Sequence, residues 1–210
     1  MDRKYLALKW EEVSERFSLD SGFIDFSLIE RKYKSRLVHY HTLDHIEMCN
    51  RELDSVEEHL EDPWFVRLIL FFHDMGYNPK SDANELYAAD FSETIFRYHG
   101  KPRDFIDKAR GYILSTGHSH VSFKPDMKYL LDIDLCIFGK DKAIFDAYDD
   151  AIRREFKHKS NQEFAKGRIH VIEKFLSRKS IYHTEEFGEK YEFKALENLL
   201  RAKEKWFHST

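Results

Sequence analysis

Helix breakers are scarce in this chain: eight glycines and four prolines are spread over 210 residues. Average usage would supply roughly twice as many, about 12% of the chain. A sheet protein needs a turn every eight to twelve residues, which so few breakers cannot easily supply. Aromatic residues make up 15% of the chain and apolar residues 42%. That content excludes disorder and provides for a sizeable core. The expected fold is all-α, a single domain over 1–210 with a core at about 25–140 and further helices at about 141–207.

The punctuation that does occur falls where helices should start and stop. Asp62-Pro63 reads as an N-cap followed by proline at the first helical position, where a missing N–H is harmless. Asp82 with Glu85, and Ser160 with Glu163, have the spacing of a capping box. Gly76, Gly100 and Gly139 each follow an apolar-periodic run, as a left-handed closing residue would. Ten helices are predicted, at 3–17, 23–35, 42–60, 63–75, 82–99, 103–116, 125–138, 141–157, 160–178 and 189–207.

The balance of 34 basic and 38 acidic residues leaves a formal charge of −4. No basic excess exists to release counterions from a polyanion, so bulk nucleic-acid binding is not expected. Two cysteines, Cys49 and Cys136, do not make a disulfide framework and suit a reducing compartment. The opening residues lack the layout of a signal peptide, and the apolar run Trp64 to Phe72 is too short to span a bilayer. A cytoplasmic protein with no membrane partner is expected, and homo-oligomerisation is left open.

The polar residues inside apolar helices carry the chemical information. Projected at 100° per residue, Cys49, Leu53, Val56 and Leu60 share a stripe with His45, and His41 joins it if the helix extends back one turn. The next helix is apolar nearly all round from Trp64 to Phe72 and ends in His73-Asp74. In the run 129–138, Asp134 falls between Leu130 and Phe138 inside the apolar stripe, with Asp132 on the opposite side. Singly, each has an ordinary reading as a hydrogen-bonded core histidine, a helix-end pair or one half of a salt bridge. A buried carboxylate needs a compensating cation or takes up a proton. One divalent metal would account for the imidazoles and carboxylates together.

The order His45, His73-Asp74, Asp134 resembles that of the HD superfamily of metal-dependent phosphohydrolases. The strings Tyr40-His41-Thr42-Leu43-Asp44-His45, Phe72-His73-Asp74-Met75-Gly76-Tyr77, Asn84-Glu85 and Leu131-Asp132-Ile133-Asp134 are similar to a bacterial branch of predicted members. So are Ile152-Arg153-Arg154-Glu155-Phe156, Arg168, Phe175-Leu176-Ser177-Arg178 and Ile181-Tyr182-His183-Thr184, which extends the likeness over about residues 30–200. The chain departs from that branch at Val38, where a basic residue is common, and at Ala88, where a small hydroxyl residue is usual.

The resemblance implies an HD-type helical bundle with C-terminal helices packed on its core, and a phosphohydrolase acting on a phosphate ester such as a nucleotide through metal-activated water. It implies His45, His73, Asp74 and Asp134 as ligands of a divalent ion, whether Mn, Fe, Ni, Co, Zn or Mg, with Asp132 the alternative distal ligand. By the same resemblance His41 is the general acid, its other reading being a supporting or surface histidine at a helix start, and Glu85 is either a capping residue or the group that orients the attacking water. Asn84 and His118 are substrate contacts, with His120 a solvated loop histidine. The substrate partner is then a small phosphorylated molecule. Two rival readings stand beside it: a di-iron oxygenase on the same scaffold, and a non-catalytic metal-stabilised helical protein that senses a nucleotide or binds a partner.

Overall fold

The structure, a computed structural model, describes residues 1–19, 22–118 and 124–209. Among these the chain is all-helical, with ten α-helices and two 3-10 turns. It separates into two compact units, Met1–Leu130 and Leu131–Thr210.

The first unit holds α1 (Arg3–Arg16), α2 (Phe26–Tyr33), α3 (Leu43–Val56), α4 (Pro63–Phe72), α5 (Asn84–Tyr98), α6 (Arg103–Ser115) and the start of α7 (Pro125–Asp134). Its centre is α4, which packs against α1, α3, α5 and α6. That is why its sequence is apolar on every side: Phe65, Val66 and Leu68 through Phe72 are all buried. Each such side chain contributes about 1.5–3 kcal/mol on leaving water. Edge-on rings lock the contacts, Trp10 against Phe71 at 5.2 Å and Phe65 against Tyr112 at 5.2 Å. Arg67, the one charge on this helix, is 1% exposed and meets Asp54 at 2.7 Å and the Asn50 amide oxygen at 3.1 Å.

The start of α4 is capped as expected, with the Asp62 carboxylate accepting from the Phe65 N–H and Pro63 in the first turn. Its end differs from the expected 75. The helix stops at Phe72, and a turn through His73–Gly76 follows. Gly76 adopts φ +79°, and a Cβ there would stand 2.4 Å from a ring carbon of Tyr87. Only glycine serves both the left-handed backbone and the close ring. The expected capping box at Asp82 is corrected: α5 begins at Asn84, after Ala83, with no side-chain cap.

The second unit holds the end of α7, a 3-10 turn at Leu135–Gly139, α8 (Lys142–Glu155), α9 (Asn161–Leu176) and α10 (Glu185–Phe207). Here α10 packs on α8, α9 and the 3-10 turn. The capping box of α9 forms as expected, Glu163 reaching the Ser160 N–H at 2.8 Å. Four residues earlier than the expected 189, α10 starts at Glu185. The cause is Asp132, whose carboxylate accepts from the N–H groups of His183 and Thr184 and from the Thr184 hydroxyl at 2.7–2.9 Å.

Gly139 is not the left-handed closing residue expected of it. Gly76 and Gly100 have positive φ, and Gly139 does not. A Cβ on Gly139 would instead lie 2.4 Å from the Tyr191 Cβ, so glycine lets the 3-10 turn and α10 meet. We expect Gly139→Ala to cost about 1–3 kcal/mol through overpacking. Chemical denaturation checks this; a variant as stable as the parent would show that α10 shifts at no cost.

Candidate metal centre

Thr42 caps α3, its hydroxyl facing the Asp44 N–H at 3.3 Å, and this starts the helix at Leu43. His45 therefore lies in the first turn on the buried face with Ile46, Cys49 and Leu53, and is itself 2% exposed. His41 is not on this helix, contrary to the one-turn extension, because the Thr42 cap ends the helix ahead of it. Its imidazole stacks on the Tyr77 ring, with centroids 3.7 Å apart and planes 17° from parallel.

His73 and Asp74 come from the turn that follows α4. The His73 Nδ1 lies 3.0 Å from the Leu70 carbonyl oxygen. A carbonyl can only accept, so this nitrogen carries a hydrogen, and in the neutral ring Nε2 presents its lone pair. That Nε2 faces the Nε2 of His45 at 3.4 Å and the Asp74 carboxylate at 3.2 Å, while His45 Nε2 to Asp74 is 3.4 Å. Facing a carboxylate, that nitrogen either carries a proton or shares a cation with it. Ligand atoms about 2.0–2.1 Å from one metal ion, at angles between a right angle and the tetrahedral one, are separated by about 2.9–3.4 Å. The observed spacings fall in that range, so these donors fit a divalent ion.

Burial pushes the Asp74 carboxyl up, but when the imidazoles of His73, His41 and His45 are protonated their charges outweigh it and hold it at about 2. A carboxylate kept anionic is what metal ligation requires. Within the first unit His45, His73 and Asp74 are donors that could hold a metal ion, and Asp134 is the last residue of α7.

The two aspartates of α7 are arranged differently from the wheel projection. Asp132 is fully buried, and Asp134 is half-buried. Burial pushes the Asp132 carboxyl up to about 6, against the pull of the Thr184 hydroxyl and the N–H groups of His183 and Thr184. Both its oxygens accept from the N–H groups of His183 and Thr184 just ahead of α10, which makes it an anchor for the start of that helix.

The other expected residues are dispersed around these. Asn84 opens α5 with its amide closing the preceding loop, accepting from the Asn78 N–H and donating to the Asn78 and Ser81 carbonyls at 2.9–3.1 Å. Glu85 lies beside Gly117, its carboxyl carbon 3.7 Å from where a Cβ on that glycine would be. His118 follows with φ +52°, a left-handed backbone rarely adopted outside glycine. His120 lies outside the described residues. Cys49 has its sulfur 3.6 Å from His45 Nδ1. Tyr77 is the feature sequence reasoning missed, although it directly follows the glycine of the turn bearing His73 and Asp74.

Among the described residues no helix is long and apolar enough to cross a membrane. No family model matches the chain, and neither a curated protein nor a solved structure matches it.

Proposed function

We propose that this chain is a metal-dependent phosphohydrolase of the HD type, acting on a phosphate ester such as a nucleotide. The observation that carries the reading is the meeting of His73 Nε2, His45 Nε2 and the Asp74 carboxylate at 3.2–3.4 Å in a buried place. They would hold one divalent ion, with Asp134 the distal ligand that the resemblance implies. Mixed imidazole and carboxylate donors suit Mn, Fe, Ni, Co or Zn better than Mg. Such an ion, when bound, polarises a phosphoryl group and lowers the pKa of water.

The remaining steps belong to the chain. His41, half-buried beside Asp74's field, gives a proton to the leaving-group oxygen. Glu85 orients the attacking water and His118 contacts the phosphate. Asn84 acts by holding the 78–81 loop in shape, since its amide is already engaged there.

The test is a panel of phosphate esters with leaving groups of graded basicity, assayed with the parent and His41→Ala. General-acid catalysis is worth about 10²–10⁴-fold. The variant should keep its metal, lose about that factor on poor leaving groups and lose far less on good ones. Equal losses across the panel would overturn the role of His41. Two tightly bound iron ions per chain with no ester turnover would replace the reading with a di-iron oxygenase, and one ion with ligand binding but no turnover would replace it with a sensor.

A further inference from the structure

We propose that Tyr77 is a positioning residue: its ring is the plate that fixes the His41 imidazole, so that the proton donor keeps a set orientation beside the Asp74 carboxylate. This rests on the proposed hydrolase reading for the reaction it serves, and on geometry for the positioning itself.

His41 stands outside α3, in the turn ahead of the Thr42 cap. Its neighbours are aromatic. Tyr40 meets it edge-on at 5.1 Å, His45 lies edge-on at 6.3 Å, and Tyr77 covers one face at 3.7 Å with the planes 17° apart. Of these three, the Tyr77 contact is the parallel stack, the kind that fixes the plane of a ring.

Tyr77 is itself well placed to act as a fixed plate. Its backbone N–H donates to the Asp74 carbonyl at 3.1 Å, so the plate and the proposed ligand belong to one turn. That turn closes through Gly76 at φ +79°, and the Tyr87 ring presses where a side chain on Gly76 would be. Tyr87 is held in turn by Lys32, whose ammonium donates to its hydroxyl at 3.1 Å. The backbone that carries the Tyr77 ring is therefore held without help from His41. An aromatic pair of this kind biases orientation by about two- to tenfold, and a misplaced catalytic group can cost about a further tenfold.

Tyr77→Phe and Tyr77→Leu separate the plate from the hydroxyl. For esters with poor leaving groups, Tyr77→Phe should stay within about twofold of the parent, while Tyr77→Leu should lower kcat about tenfold at unchanged KM. Both should retain the metal content of the parent. Activity of Tyr77→Leu equal to the parent, or equal damage in Tyr77→Phe, would overturn the proposal. So would loss of metal from Tyr77→Leu, which would mean that the ring supports the Asp74 turn instead. If the parent hydrolyses no ester, the hydrolase reading fails, and the positioning is decided by side-chain NMR relaxation of His41. A rigid imidazole in the parent that loosens in Tyr77→Leu upholds it, and equal order in both overturns it.

Discussion

Asp74→Ala should abolish ester turnover, with a loss of at least about 10²-fold, the upper end of what removing a mere hydrogen-bond partner of a metal ligand costs. The substitution removes the carboxylate that the Nε2 atoms of His45 and His73 approach at 3.4 and 3.2 Å. Without it the two imidazoles face each other with their lone pairs and no anionic oxygen, so affinity for a divalent ion falls steeply. Stability should respond differently with and without ion. A ligand bound only by the folded state stabilises it by about 2.7 kcal/mol at a concentration one hundred times its Kd. Added Mn(II), Ni(II) or Zn(II) should therefore raise the melting temperature of the parent and leave that of Asp74→Ala unmoved. An Asp74→Ala protein with parental turnover would remove the carboxylate from the account.

The second large effect lies in the other unit and concerns stability alone. Asp149 is 1% exposed and Arg168 is 6% exposed. The carboxylate accepts from Arg168 Nε at 3.0 Å, from the Trp206 indole N–H at 2.9 Å and from Lys205 at 2.9 Å. It thereby joins α8, α9 and α10 at one point. Asp149→Ala leaves a buried guanidinium without its counter-charge and an indole N–H without its acceptor. Breaking a buried pair from one side costs about 3–5 kcal/mol. For a chain of this size that is a fall of the order of 10 °C in melting temperature. Replacing both partners by apolar residues should cost much less, because the penalty is the stranded charge and not the missing bond. Thermal unfolding of the single and double variants decides it; a single variant within 1 kcal/mol of the parent, on a scale of about that size, would show that Arg168 finds another acceptor.

Much of this was legible along the chain because the signals are local. The run Trp64 to Phe72 is apolar on all faces and is indeed the centre of its unit. Asp62-Pro63 and Ser160 with Glu163 start helices through hydrogen bonds spanning only three residues. His45 and the His73-Asp74 pair stand out because each interrupts an apolar surface, and the structure brings those three together.

What escaped the sequence depends on distant partners. A helical wheel puts Asp132 on the polar side of its helix, whereas residues 183 and 184, some fifty positions later, return to bury it. Gly139 looks like a helix terminator until Tyr191 is seen to press against it. The place of His41 turned on one hydroxyl, that of Thr42, which begins the helix one turn later than the histidine spacing suggested. Tyr77 could not be paired with His41 from spacing, because thirty-five intervening residues fold between them.

The central claim is a divalent ion held by His45, His73 and Asp74, and metal content tests it most directly. Elemental analysis of the parent, purified without chelator and again after dialysis against Mn(II), Ni(II) or Zn(II), should find about one ion per chain. His73→Ala and Asp74→Ala should each find almost none while remaining folded. A parent that carries no transition metal under any of these conditions, or variants that hold as much as the parent, would contradict it.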